Sequence, residues 1–161
     1  MKIRVDLTRQ QLDLFDDDGN VAGTWPVSSA ANGAGETCGS CQTPRGQHIV
    51  RAKIGQDQPL NAVFVGRRPT GEIYDPSLAV QQPERDWILT RILWLSGMEP
   101  GFNRLGDRDS MRRYIYIHGT PDEIFEQKPQ SHGCIRMRNA DVVKLFDLAP
   151  VYTPVEIIEA C

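Results

Sequence analysis

Residues 114–118 read Tyr114-Ile115-Tyr116-Ile117-His118, and further along the chain reads Ser131-His132-Gly133-Cys134-Ile135-Arg136-Met137. The first stretch alternates and is rich in β-branched and aromatic residues, which predicts a strand. Side chains alternate across a strand, so Tyr114, Tyr116 and His118 share one face and Ile115 and Ile117 the other. Cys134 follows His118 by 16 residues. That separation allows a strand, a short helix and a return path that brings thiol and imidazole together. A cysteine becomes nucleophilic when a base takes its proton, and a neighbouring imidazole is such a base. Gly133 permits a tight bend in which backbone N–H groups converge, the makings of an oxyanion hole. From spacing alone, three readings stand: a catalytic Cys–His pair, a small buried cysteine beside a hydrogen-bonded histidine, and part of a metal site.

Outward from this centre the chain reads as one mainly β domain. Ile3, Val5 and Leu7 alternate with polar residues, and Leu12, Leu14 and Phe15 resume the pattern before the turn Asp16-Asp17-Asp18-Gly19-Asn20. Residues 21–28, 47–54, 60–65, 87–95 and 154–158 also read as extended. Residues 30–46 are loop-like, and their Gly33 and Gly35 fall short of a dinucleotide fingerprint. Residues 66–86 read as a long surface excursion, and 66–110 as a lid or insertion region. Thr120-Pro121-Asp122-Glu123 predicts a short helix with a capping box, ending near Gln127. Asn139 to Leu148 predicts a second helix with an Asn cap and an apolar stripe at Val142, Val143, Leu145 and Phe146.

Composition narrows the function classes. The chain has 161 residues, enough for one domain with a useful core. No apolar run approaches the length of a membrane span. A formal net charge of -3 supplies no global field for nucleic acid or an anionic membrane. No apolar segment follows the basic start Met1-Lys2, so the expected location is cytosolic, or periplasmic if a leader has been removed. Of the four cysteines, Cys38 and Cys41 form a C-x-x-C pair, and with His48 they give one candidate half-site for zinc. Small residues in a Gly-rich loop are the alternative reading of that pair. Cys161 is terminal and expected to be mobile.

The stretch Ser131-His132-Gly133-Cys134-Ile135-Arg136-Met137, with His118-Gly119-Thr120 upstream, resembles the signature of L,D-transpeptidase catalytic domains, the YkuD family. The opening hairpin around Ile3, Val5, Asp6, Leu7, Gln10 and Leu12 is similar to the family's first strands, and Thr43-Pro44-Arg45-Gly46 to its T-P-x-G element. Gln127 stands where many members carry glycine. The resemblance implies a β-sandwich or mixed-sheet fold with the active site in a groove. It implies Cys134 as nucleophile and His118 as general base, oriented by the carbonyl of Gly119. His132 and the N–H groups of Gly133 and Cys134 would shape the oxyanion region. Ser131 would position the loop. Arg136 would hold a substrate carboxylate or brace the cysteine loop, the alternative being a structural ion pair. Separately from the resemblance, the strand alternation puts Tyr116 on the His118 face and makes it a candidate to line the groove.

The implied substrate is a peptidoglycan stem tetrapeptide, attacked at the carbonyl of its third residue with loss of D-alanine. No cofactor, metal or nucleic-acid partner is implied, and the oligomeric state is left open. The expected location favours an L,D-carboxypeptidase acting on recycled or precursor muropeptides. The alternatives are an L,D-transpeptidase forming 3–3 cross-links and a peptidoglycan-binding module without turnover. If an imidazole activates the thiol, activity is expected to rise through a deprotonation near neutral pH.

Overall fold

The computed structural model describes residues 1–160; Cys161, expected to be mobile, lies outside the described residues. Ten strands form one curled mixed sheet. In chain order they are β1 (Lys2–Asp6), β2 (Gln11–Phe15), β3 (Val21–Pro26), β4 (Gly46–Ile54), β5 (Ala62–Val65), β6 (Arg68–Ile73), β7 (Ile88–Gly97), β8 (Tyr116–Thr120), β9 (Ile135–Arg138) and β10 (Pro154–Ile158). Two helices interrupt them, α1 (Pro76–Gln81) and α2 (Asn139–Leu148). The main path runs β3-β2-β1-β10-β4-β7-β5-β6, and β8 branches from β7 to carry β9 at its far side. Only β1–β10 and β8–β9 are parallel.

The core lies between the sheet and α2. Alternation buries Ile3 and Val5 of β1, Leu12 and Leu14 of β2, and Val155 and Ile157 of β10 on one face. Against this face α2 seats Val142, Leu145 and Phe146, all fully buried. Burying such side chains stabilises by roughly 1.5–3 kcal/mol each. β8 is buried on both faces, as a central strand must be. Its Ile117 faces this core, while Tyr116 packs in a second cluster with Ala62, Phe64 and Ile92, against which Cys134 is also seated. The strand therefore separates a structural face from a chemical one.

Three local expectations are corrected. Residues 66–86 are not one excursion: Val65 and Arg68 pair across a two-residue turn to start β6, and Asp75 caps α1. Beyond them β7, expected as extended over 87–95, is the strand to which β4, β5 and β8 all pair. Residues 121–127 do not form a helix. β8 runs on to Thr120 and takes the intended cap, and the Phe125 amide closes only a single turn onto Pro121. Asn139 does not cap α2, which begins after an extended Arg138 without a side-chain cap. Its amide group instead donates to the Thr120 carbonyl at 2.9 Å and its oxygen accepts from Thr90 Oγ1 at 2.6 Å, tying α2 to β7 and β8.

Candidate active site

Parallel pairing of β8 and β9 builds the site. The register sets Ile117 against Ile135 and His118 against Arg136, so Cys134, one residue before β9, comes level with Tyr116. Its thiol donates to the Tyr114 carbonyl at 3.2 Å and its sulfur accepts the Tyr116 N–H at 3.3 Å. His118 follows Tyr116 on the same face of β8 and is 1% exposed. Its Nδ1 lies 2.6 Å from the Gly119 carbonyl, which can only accept. The proton is thus on Nδ1, and Nε2 is left with a free lone pair. Thiol and imidazole share one face without a direct hydrogen bond in this state.

The cysteine loop is clamped from three sides. Ser131 Oγ donates to the Cys134 carbonyl at 2.5 Å and accepts the Gly133 N–H at 3.2 Å. Thr43 Oγ1 donates to the Gly133 carbonyl at 2.9 Å and accepts the Ala30 N–H at 3.0 Å. Ser28 and Arg136 exchange backbone hydrogen bonds at 2.8 and 2.9 Å. Gly133 has φ +138°, a conformation that a side chain rarely adopts. The Gly133 N–H, assigned to the oxyanion region from sequence, is spent on Ser131, which leaves the Cys134 N–H as the backbone donor beside the sulfur. Thr43 carries the structural meaning of its motif and was not singled out as a site residue. Its short side chain bridging Ala30 and the cysteine loop is legible only once the loops are placed.

Burial sets the electrostatics. It pulls the His118 imidazole down to about 4 from an ordinary 6.5, the Gly119 hydrogen bond opposing. It pushes the Cys134 thiol up to about 12, against the Tyr116 N–H, which favours the thiolate. Burial thus favours the neutral form of both thiol and imidazole. Burial also pulls His48 down to about 4. An unfolded chain protonates these histidines near 6.5 and the folded one near 4. Their contribution is complete above 6.5 and is lost as pH falls towards 4, on the order of 3 kcal/mol for each. Chemical denaturation at pH 7 and pH 4.5 should show this drop, and His48→Gln should reduce it.

Gly119 is required sterically. A Cβ there would meet Asn139 Oδ1 at 2.4 Å and the Leu89 carbonyl at 2.6 Å. Gly119→Ala is expected to destabilise the fold by about 1–3 kcal/mol through this overpacking, and to turn the carbonyl that orients His118. Urea unfolding checks the first effect and acylation rate the second.

The remaining candidates sit around the pair. Arg136 pairs with Asp86 at 3.1 Å, a structural ion pair to the segment before β7. Tyr116 is buried, its hydroxyl accepting from Arg67. His132 is exposed and borders two cavities. One, of about 300 Å³, is lined by Cys38, Cys41, Arg113 and Tyr114. The other, of about 220 Å³, is lined by Asp86, Trp87, Thr120 and Arg136. The Cys38–Cys41 turn is held by Arg113, which donates to Ser40 Oγ and the Gln42 carbonyl. His48 is not with that pair: it is buried, its Nε2 2.8 Å from Ser110 Oγ. Among the described residues, no three His, Cys, Asp or Glu side chains gather to hold a metal, so the zinc reading has no third ligand. Among the described residues, no helix is long and apolar enough to cross a membrane.

Comparison with known proteins agrees with this architecture. An L,D-transpeptidase structure from Xylanimonas cellulosilytica is 21% identical, with TM-score 0.54 over 97% of this chain and 59% of its own. An Enterococcus faecium L,D-transpeptidase mutant is 19% identical, with TM-score 0.57 over 98% of this chain and 49% of its own. A Mycobacterium smegmatis L,D-transpeptidase is 18% identical, with TM-score 0.54 over 97% of this chain and 57% of its own. The chain therefore spans about half to three fifths of the length of these structures, and at such identities they speak to fold alone. Among curated proteins none matches. The L,D-transpeptidase catalytic domain model, however, matches residues 1–157, nearly the whole chain, and the chain accordingly belongs to the YkuD family of L,D-transpeptidase catalytic domains.

Proposed function

We propose that this domain is a cysteine acyl-enzyme acting on peptidoglycan stem tetrapeptides, and that its main reaction is L,D-carboxypeptidase cleavage. The observation that carries the chemistry is the buried His118, fixed by Gly119 with Nε2 free, on the same face as the Cys134 thiol. In the first step the thiol proton passes to His118 Nε2 as the sulfur attacks the carbonyl carbon of the third residue. The Cys134 N–H faces the developing oxyanion. The C–N bond then breaks, His118 returns the proton to the D-alanine amine, and a thioester remains. Water, giving its proton to His118, hydrolyses the thioester to free tripeptide and thiol.

The acyl-enzyme is common to both outcomes: water as acceptor completes the hydrolase reaction, and the amine of a second stem completes the transferase reaction. The transferase reading keeps one support, the family itself.

Product analysis separates the two. The tetrapeptide is incubated with and without an excess amine acceptor such as a D-amino acid. Tripeptide as the main product in both mixtures supports the hydrolase. Mostly exchanged or cross-linked product rejects it in favour of the transferase, and intact tetrapeptide in both rejects the substrate assignment.

A further inference from the structure

We infer that Arg67 is a specificity-determining residue that binds a carboxylate on the acyl half of the donor peptide. The inference rests on the proposed peptidase reading and adds the group recognised. Arg67 is the second residue of the turn joining β5 and β6, where Gly66 has φ +58° and Arg67 φ +64°. Two positive φ values make the tight turn whose twist suits a hairpin, but its second position favours Gly or Asn over a long side chain. The arginine is held there by what its side chain touches. Its guanidinium carbon lies 4.8 Å from the Tyr114 ring centroid and 5.1 Å from that of Trp94, and Nη1 donates to Tyr116 Oη at 3.1 Å. Aromatic faces attract a guanidinium and fix its plane.

Two further facts turn this shelf into a recognition device. Among the described residues, every ion pair engages other groups, and no carboxylate reaches Arg67. A preorganised guanidinium with unspent donors and no counter-ion suits a planar anion. The shelf also leads to the nucleophile, because the Tyr116 N–H and the Tyr114 carbonyl are the groups bonded to Cys134 Sγ.

The direction of the substrate follows from register. Trp94 pairs with Tyr116 and Ile92 with His118. The leaving amine must meet His118 to receive its proton. The acyl half of the substrate therefore extends the other way, over Tyr116 towards Trp94 and Arg67. In a stem peptide that half carries two free carboxylates, one on the side chain of the third residue and one on the second residue. The methylenes of the third side chain suit the aromatic faces, and its terminal carboxylate the guanidinium beyond them.

Steady-state kinetics on three peptides test this. One is the diaminopimelate tetrapeptide. One has lysine at the third position and so lacks the side-chain carboxylate. One has the second-residue carboxyl amidated. Wild type is expected to prefer the first peptide over one of the other two. Arg67→Gln should lose roughly 10–100-fold in kcat/KM on the first peptide, chiefly through KM, so that the preferred pair converges. Arg67→Lys should recover part of the preference. Convergence with the lysine peptide assigns the third residue, and with the amidated peptide the second. An equal loss on all three peptides, or a fall confined to kcat, would mean that Arg67 only braces the hairpin and overturns the inference. A wild type inactive on every peptide overturns the proposed function instead.

Discussion

Cys134→Ser is expected to lower kcat/KM on the tetrapeptide by on the order of 10⁴-fold or more while leaving the fold in place. The hydroxyl keeps both contacts of the thiol, accepting from the Tyr116 amide and donating to the Tyr114 carbonyl. It lacks the nucleophilicity of sulfur, and His118, held near 4, is too weak a base to make an alkoxide. Intact mass gives a second readout. A carbapenem, whose β-lactam carbonyl a nucleophilic cysteine opens to a thioester, is expected to add one equivalent to wild type and none to Cys134→Ser. Peptide mapping is part of the experiment because Cys38 and Cys41 are exposed thiols. An adduct on that pair, with Cys134 unlabelled, would move the chemistry out of the β8–β9 site. Simple alkylating agents should behave in the opposite order. At neutral pH the Cys134 thiol, pushed up to about 12, keeps its proton unless a substrate draws it to His118, so iodoacetamide should label Cys38 and Cys41 first.

The parts of this molecule that were legible in sequence are those fixed by short-range rules. Alternation located β1, β2 and β10, and it separated Ile117 from His118 across β8 because a strand has only two faces. Length and branched side chains located β7. The errors came where tertiary partners outbid local propensity. Asn139 has good cap chemistry, but Thr90, Thr120 and Asp122 offer its amide buried partners, and a buried polar group satisfies those first. Thr120 likewise served the sheet instead of a cap. Asp75-Pro76 carries helix-start chemistry, but the Arg, Pro and Gln around it read as loop. At the site, spacing left the Cys134–His118 pair as one of three readings, because the parallel β8–β9 register that aligns their strands is a tertiary feature. Arg67 was not legible, because its meaning depends on a hairpin turn lying across the faces of Trp94 and Tyr114, residues distant in sequence.

His118→Ala is expected to reduce acylation of Cys134 by about 10²–10⁴-fold, and the pH profile is the sharper test of why. An ordinary imidazole would make the rate rise near 6.5, the expectation from sequence. Burial changes that. With the imidazole held near 4, its neutral, base-competent form dominates across the neutral range. The kcat/KM profile should therefore be level from about pH 6 to 8 and fall only on the acid side, well below 6.5. Loss of folding stability over the same acid range would imitate this limb, so circular dichroism must accompany the rates. The two effects separate in His48→Gln, which should shift unfolding and leave the catalytic limb in place, since His48 bonds to Ser110 and the Gly46 carbonyl, away from Cys134. The main competitor for the role of base is His132, exposed at the mouth of both cavities. An acid limb that survives His118→Ala and disappears in His132→Ala would transfer the role to that residue. His118 would then be a buried structural histidine, and the thiol would have to turn outward, away from β8, to be activated.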